Sequence, residues 1–182
     1  MSSGRGAFCV PQYTCARVAT SSSPIFLKLI RRVNLYPPYL GMGISVSAVS
    51  PDFTRFEVQL KARWYNRNLF GTHFGGSLYS MADPFYVFIV MMNFGSGYVV
   101  WDKAAGIDFL RPAKGTILGV FEIGRQRLEE MRAEVDRDGR SVFRFETDLK
   151  DEAGQAVARV RKDVHVRVKD RTRPRASATG PA

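Results

Sequence analysis

The sequence predicts an α+β domain in which one curved antiparallel sheet of about six strands wraps a long central helix. Three observations carry this. Several segments alternate apolar and charged residues at period two, the pattern of strands with one solvated face. One segment, Gly76 to about Asn93, is apolar on every side, as a helix buried all round must be. A single helix needing cover on all sides, beside a sheet with one apolar face, is satisfied when the sheet curls around it. With 182 residues and 45% hydrophobic content, the chain is of one-domain size and can fill a core.

Taken in order, residues 1–22 carry Ser and Arg but no acid, and read as a disordered tail. They share composition with a transit peptide but lack the apolar core of a secretory signal, so a tail or an upstream start codon is the reading. Both cysteines, Cys9 and Cys15, lie there. The domain therefore needs no disulfide, and a reducing cytoplasm is expected. The stretch "PIFLKLIRRVNLY" reads as a helix halted by Pro37 and Pro38. A strand is expected over 43–50. In the next, Phe56, Val58, Leu60, Ala62 and Trp64 face one way and Arg55, Glu57, Gln59, Lys61 and Arg63 the other. The central helix follows. No residue from Pro84 to Trp101 is charged, yet Asn93, Gly95, Ser96 and Gly97 interrupt the run, leaving it too short to span a bilayer.

Strands are expected over 98–111 and 115–123, then a short amphipathic helix on Leu128, Met131 and Val135. Phe143, Phe145, Thr147 and Leu149 alternate with Arg144, Glu146, Asp148 and Lys150. Val160, Val164, Val166 and Val168 alternate with Arg159, Arg161, Asp163, His165 and Arg167. The expected domain is thus 23–169, followed by a basic tail, 170–182. The net charge of +10 is concentrated at the ends, since no acid precedes Asp52 or follows Asp170. No zinc spacing or RNA-binding motif accompanies that charge, so no specific nucleic-acid partner is implied. Two histidines far apart and a core without cysteine give no metal site.

The chemistry concentrates in "NRNLFGTHFGGSLYSMADPF", Asn66 to Phe85. Asp83 stands among Met81, Ala82, Phe85 and Phe88, where a carboxylate is costly to bury unless something pairs with it or uses it. A helix starting at Gly75-Gly76 presents free N–H groups at its positive end, and such donors can polarise a carbonyl. The same glycines also allow a tight helix entry. Asp83 follows Gly76 by seven residues, about two turns or roughly 10 Å along a helix. Within one chain that is too far for both to serve one carbonyl. Pro84 removes an N–H and frees the Ser80 carbonyl, which predicts a kink beside Asp83. His73 reads either as a site residue or as a hydrogen-bonded loop residue.

Asn68-x-x-Gly71-x-x-Phe74-Gly75-Gly76, with Ala82-Asp83 beyond, resembles the hotdog-fold superfamily over roughly residues 24 to 169. It is similar to the phenylacetyl-CoA type of acyl-CoA thioesterase, and closer to an uncharacterised branch related to a domain fused to acetyltransferases. The resemblance implies hydrolysis of an acyl-CoA or acyl-carrier thioester with no metal or other cofactor. It implies a homodimer or dimer of dimers, in which the helix start at Gly75 and Gly76 of one chain meets Asp83 of the other. Asp83 would be base or nucleophile, Asn68 would orient the water or the carbonyl, and the strand around Val99–Phe109 would form the seam. Phe74, Ser77 and Tyr79 would bind substrate, and Arg111 a phosphate of the coenzyme.

One departure stands out. The thioesterase pattern has histidine directly before Gly-Gly, whereas here Phe74 holds that place and His73 precedes it. This keeps two further readings open: a non-catalytic acyl-thioester-binding protein and an acyl-thioester dehydratase or hydratase. On the strand at Trp101-Asp102-Lys103, Asp102 and Lys103 point to opposite faces, so one of them reaches the site.

Overall fold

The computed structural model describes residues 32–169. The expected tails and most of the expected first helix lie outside the described residues. Residues 32–34 are helical, and the chain then starts afresh as α1, Pro37–Met42. The two prolines open a helix where the sequence predicts only an end. Their missing N–H groups are not needed in a first turn, and their fixed φ suits it. Gly43 ends α1 with φ 78°, and a Cβ there would lie 2.6 Å from the Lys61 carbonyl oxygen. Only glycine fits.

Strand β1 (Ile44–Val49) pairs with β2 (Arg55–Lys61). The alternation predicts that β2 runs to Trp64, but the strand stops at Lys61 and Trp64 is exposed. The buried amide of Asn66 donates to the carbonyls of Met42 and Lys61 and accepts from the Arg63 N–H, which turns the chain away. The remaining strands are β3 (Tyr98–Phe109), β4 (Thr116–Glu122), β5 (Arg140–Lys150) and β6 (Ala156–Val168). All pairings are antiparallel, in the order β1-β2-β4-β5-β6-β3. Among the described residues, strand β3 is therefore an edge, bonded only to β6.

The central element is two helices, α2 (Gly75–Ser80) and α3 (Phe85–Phe94), where the sequence predicts one. Pro84 cannot donate to the Ser80 carbonyl and bars the preceding residue from helical geometry, so the helix breaks across Met81–Pro84. The Asp83 N–H bonds the Ser80 carbonyl at 3.2 Å instead, and the Asp83–Pro84 peptide is cis. Helix α3 is largely buried, whereas α2, expected to be buried all round, buries only Ser77 and Leu78. Met81, Ala82, Phe85, Ile89 and Val90 are sealed from solvent, and Phe85 stacks on Phe121 of β4 at 5.1 Å. Burial of the four larger side chains stabilises by about 1.5–3 kcal/mol each. Helix α4 (Arg125–Asp138) buries Leu128, Met131 and Val135, the stripe the sequence predicts.

Candidate active site

The break in the central helix brings Asp83 to the inner face of β6. Residues of even number there face inward, and Ala158, Val160, Val164 and Val166 are fully buried. Lys162 occupies the middle of this row with a side chain only 3% exposed. Its Nζ lies 2.7 Å from Asp102 Oδ2 and 3.0 Å from Asp83 Oδ1. The ring of Tyr79 on α2 lies 5.7 Å from the same nitrogen.

Asp102 reaches this cluster because β3 is bulged. Its register on β6 runs Asp102↔Val164 and then Ala104↔Asp163, which leaves Lys103 as an extra residue. A bulge inverts the alternation along a strand. Before it, Asp102 shares the face of buried Val164; after it, Ala105 and Ile107 face inward opposite Lys162 and Val160. The strand's two candidates thus separate, with Asp102 in the Lys162 cluster and Lys103 outside it.

The electrostatics follow from burial. Burial pulls the Lys162 ammonium down, but its two carboxylate partners outweigh this and hold it above its ordinary value. Burial pushes the Asp102 carboxyl up, Lys162 opposes this, and nearby Asp83 reinforces the rise. One Asp102 oxygen, Oδ1, is buried without a hydrogen-bond partner. Asp83 is the accessible member, its side chain 53% exposed. Its backbone carbonyl accepts a hydrogen bond from the Tyr39 hydroxyl. With both acids ionised the cluster carries one net negative charge.

The other expected site residues gather elsewhere. Helix α2 starts at Gly75 and Gly76, whose N–H groups have no hydrogen-bond partner among the described residues; the first α2 donors to bond are Ser77 and Leu78, both to Phe74. A Cβ on Gly75 would come within 2.9 Å of the Phe109 ring, and one on Gly76 within 2.4 Å of the Phe74 ring. The glycines thus leave room for two half-exposed aromatics over the helix start. A cleft of about 480 Å³ opens there, lined by Asn68, His73, Gly75, Phe109 and Arg111 among others. Asp83 lies outside it.

Within that cleft Asn68, His73 and Arg111 already make hydrogen bonds, while His73 Nδ1 is buried without a partner. Asn68 Oδ1 accepts from the N–H groups of Phe70 and Thr72, and its Nδ2 donates to Thr72 Oγ1 at 2.8 Å. His73 is buried with Nε2 2.8 Å from the Gly115 carbonyl, so Nε2 carries the proton. Burial holds this imidazole below its ordinary pKa, which keeps it neutral. The Arg111 guanidinium donates to the Ala156 carbonyl and to Gln155 on the β5–β6 turn. Ser77 is buried, whereas Phe74 and Tyr79 are exposed at 59% and 37%.

The sequence singles out Asp83 and the Gly75-Gly76 start but passes over Lys162, whose Nζ lies 3.0 Å from Asp83 Oδ1. The signal was present: a lysine at an inward position of an otherwise aliphatic row, where only a paired lysine is tolerated. Among the described residues no group of His, Cys, Asp and Glu side chains could hold a metal ion. Nor is any helix of these residues long and apolar enough to cross a membrane.

Comparison with known proteins gives a consistent picture. The pattern of a domain of unknown function, DUF4442, matches residues 25–166. No curated protein matches the chain. A Pseudomonas aeruginosa protein of unknown function, described as a probable thioesterase, superposes with a TM-score of 0.70 at 21% identity, over 79% of this chain and 96% of that one. A thioesterase from Haemophilus influenzae gives a TM-score of 0.58 at 16% identity, over 78% and 90%. The PaaI protein of the phenylacetic acid degradation operon of E. coli gives 0.55 at 18%, over 79% and 93%. At these identities the likeness is one of fold.

Proposed function

The chain belongs to the DUF4442 family, a domain of unknown function built here on the hotdog fold, and on that footing we propose that it is an acyl-thioester hydrolase. The observation that carries the reading is Asp83: an accessible carboxylate in the break of an otherwise buried central helix, held by a buried lysine. Thioesterases among proteins of the same fold support the substrate class, an acyl-CoA or an acyl-carrier thioester. Exposed Phe74 and Tyr79 suit an apolar or aromatic acyl group.

The site is completed by a second chain. Asp83 and the cleft at Gly75 are separate within one chain, and a homodimer formed along β3 places the helix start of one against Asp83 of the other. The thioester carbonyl oxygen then takes the free N–H groups of Gly75 and Gly76. The Asp83 carboxylate removes a proton from water as the water oxygen bonds the acyl carbon. Negative charge grows on the carbonyl oxygen, where the N–H groups stabilise it. The C–S bond breaks as the carbonyl re-forms, and the thiolate leaves with the proton from Asp83. Asn68 stabilises the loop that carries the helix start. A cytoplasmic setting suits a chain whose two cysteines, Cys9 and Cys15, precede the domain.

The test is release of free thiol from a panel of acyl-CoAs. Wild type hydrolyses at least one of them, and Asp83→Asn removes most of that turnover while keeping the fold. Near-wild-type turnover by Asp83→Asn would return Asp83 to a structural role. A second reading, binding without turnover, is favoured by one observation: Phe74 replaces the histidine before Gly-Gly, and the His73 imidazole is tied to Gly115. Tight binding of an acyl-CoA with no thiol released would establish it.

A further inference from the structure

Resting on Asp83 as the base, we propose that the buried Lys162–Asp102 pair is a positioning device that aims Asp83 and sets the pH range in which it works. Lys162 is the one charged side chain in the inward row Ala158, Val160, Lys162, Val164, Val166. Nothing in strand pairing asks for it, and an aliphatic residue there would continue the core. A lysine sealed to this degree requires a carboxylate partner. One carboxylate suffices to neutralise it, and Asp102 fills that part by the shorter contact and the deeper burial of the two acids. The second contact, to Asp83 Oδ1, is then a directed hydrogen bond from an ammonium whose charge is already met. Asp83 is oriented without being neutralised.

Among the described residues, the elements packed around these three groups add no further charge. Opposite Lys162 stand Ala105 on β3 and Phe145 on β5, both uncharged. Helix α2 contributes the Tyr79 ring, and α1 the Tyr39 hydroxyl on the Asp83 carbonyl. Burial and the negative charge of Asp83 hold that phenol well above its ordinary range, so it stays protonated. The bulge at Lys103 exists in this strand where Asp102 must turn inward. The Lys162 cation attracts the Asp83 carboxylate and Asp102 repels it as a like charge, so removing either one changes the charge that Asp83 faces.

The experiment follows the acid limb of the kcat/KM–pH profile for acyl-CoA hydrolysis in wild type, Lys162→Met, Asp102→Asn, the double variant and Asp83→Asn. Removing the cation leaves two facing carboxylates, so Lys162→Met moves the limb up by about one to three pH units. Asp102→Asn moves it down, because Asp83 keeps the cation and loses its like-charged neighbour. The double variant returns it between the two single variants. A purely structural role would lower the folded fraction and leave the limb in place, and that result in folded variants overturns the proposal. If Lys162→Met does not fold, Asp102→Asn alone decides, and an unmoved limb there is equally fatal. An inactive Asp83→Asn with unmoved limbs elsewhere sinks this proposal and spares the hydrolase reading. An active Asp83→Asn, or an inactive wild type, sinks both.

Discussion

Replacing Lys162 by methionine removes the cation and keeps an unbranched side chain of similar length, so it isolates the charge. Lys162 Nζ serves Asp102 at 2.7 Å and Asp83 at 3.0 Å, with side chains 23% and 53% exposed. Breaking a buried pair costs about 3–5 kcal/mol, because the remaining charge is left without compensation. Asp102 is only partly buried, which lowers its share, and the half-exposed Asp83 end is worth about 0–1 kcal/mol. The expected loss at neutral pH is about 2–4 kcal/mol. At about 2–4 °C per kcal/mol for a chain of this size, the midpoint falls by roughly 5–15 °C. The pH dependence has a definite sign. Burial already raises the Asp102 carboxyl in the folded protein, and losing Lys162 raises it further. A group raised on folding contributes its full stability below its unfolded pKa, about 3.9, and loses it as pH rises through the folded value. The deficit of Lys162→Met is therefore largest at neutral pH and shrinks towards pH 4. Urea melts at pH 7 and 4.5, followed by tryptophan fluorescence, measure it. A second change, Asp102→Leu, restores most of the loss, since apolar replacement of a whole buried pair is often neutral. A deficit below about 1 kcal/mol at pH 7, or one that is equal at both pH values, refutes the reasoning.

Mixing an Asp83→Asn chain with a Gly76→Pro chain, each inactive alone, restores one working site in two when subunits exchange; no recovery under demonstrated exchange rules out a site shared between chains. Burial pushes the Asp52 carboxyl up, but hydrogen bonds from Ser50, Thr54 and Arg125 outweigh it and hold it down at about 2. Asp52→Asn therefore costs about 1 kcal/mol above pH 4, and the cost vanishes as pH falls from 4 through 2, which acid-titrated melts would show. A chain starting at Ser23 keeps its melting midpoint, and a drop of several degrees would mean that residues 1–22 pack on the domain.

Strand alternation made most of the sheet legible, because each face of a half-buried strand repeats every second residue and the core selects one face. It failed where the hydrogen bonds of one side chain, or a proline, decide the geometry instead of the face of a strand. Trp64 continues the pattern of β2, yet Asn66 ends the strand three residues earlier through carbonyls of α1 and β2. Pro37 and Pro38 signal a discontinuity without saying which side of it is helical. Pro84 predicts a kink, and the structure carries this to a full break. Asp83 was legible because an acid in apolar company is an anomaly in itself. Lys162 was not, since reading Val160, Val164 and Val166 as one row passes over the residue between them. Asp102 and Lys103 were separable only as a pair, because alternation fixes relative faces and has no sign until a neighbouring strand supplies one.

The bulge at Lys103 bears on how the ion cluster can be lost. Asp102 faces inward because Lys103 stands outside the ladder, between the pairs Asp102↔Val164 and Ala104↔Asp163. Deleting Lys103 would only close the bulge, since both flanking pairs then follow one another as a regular ladder and Asp102 stays beside Lys162. What loses the cluster is a slip that takes Lys103 into the ladder. Lys103 would then pair with Val164 and Asp102 with His165, on the outer face, leaving Lys162 with Asp83 alone. Every residue of the cluster would survive, and its charge balance would not.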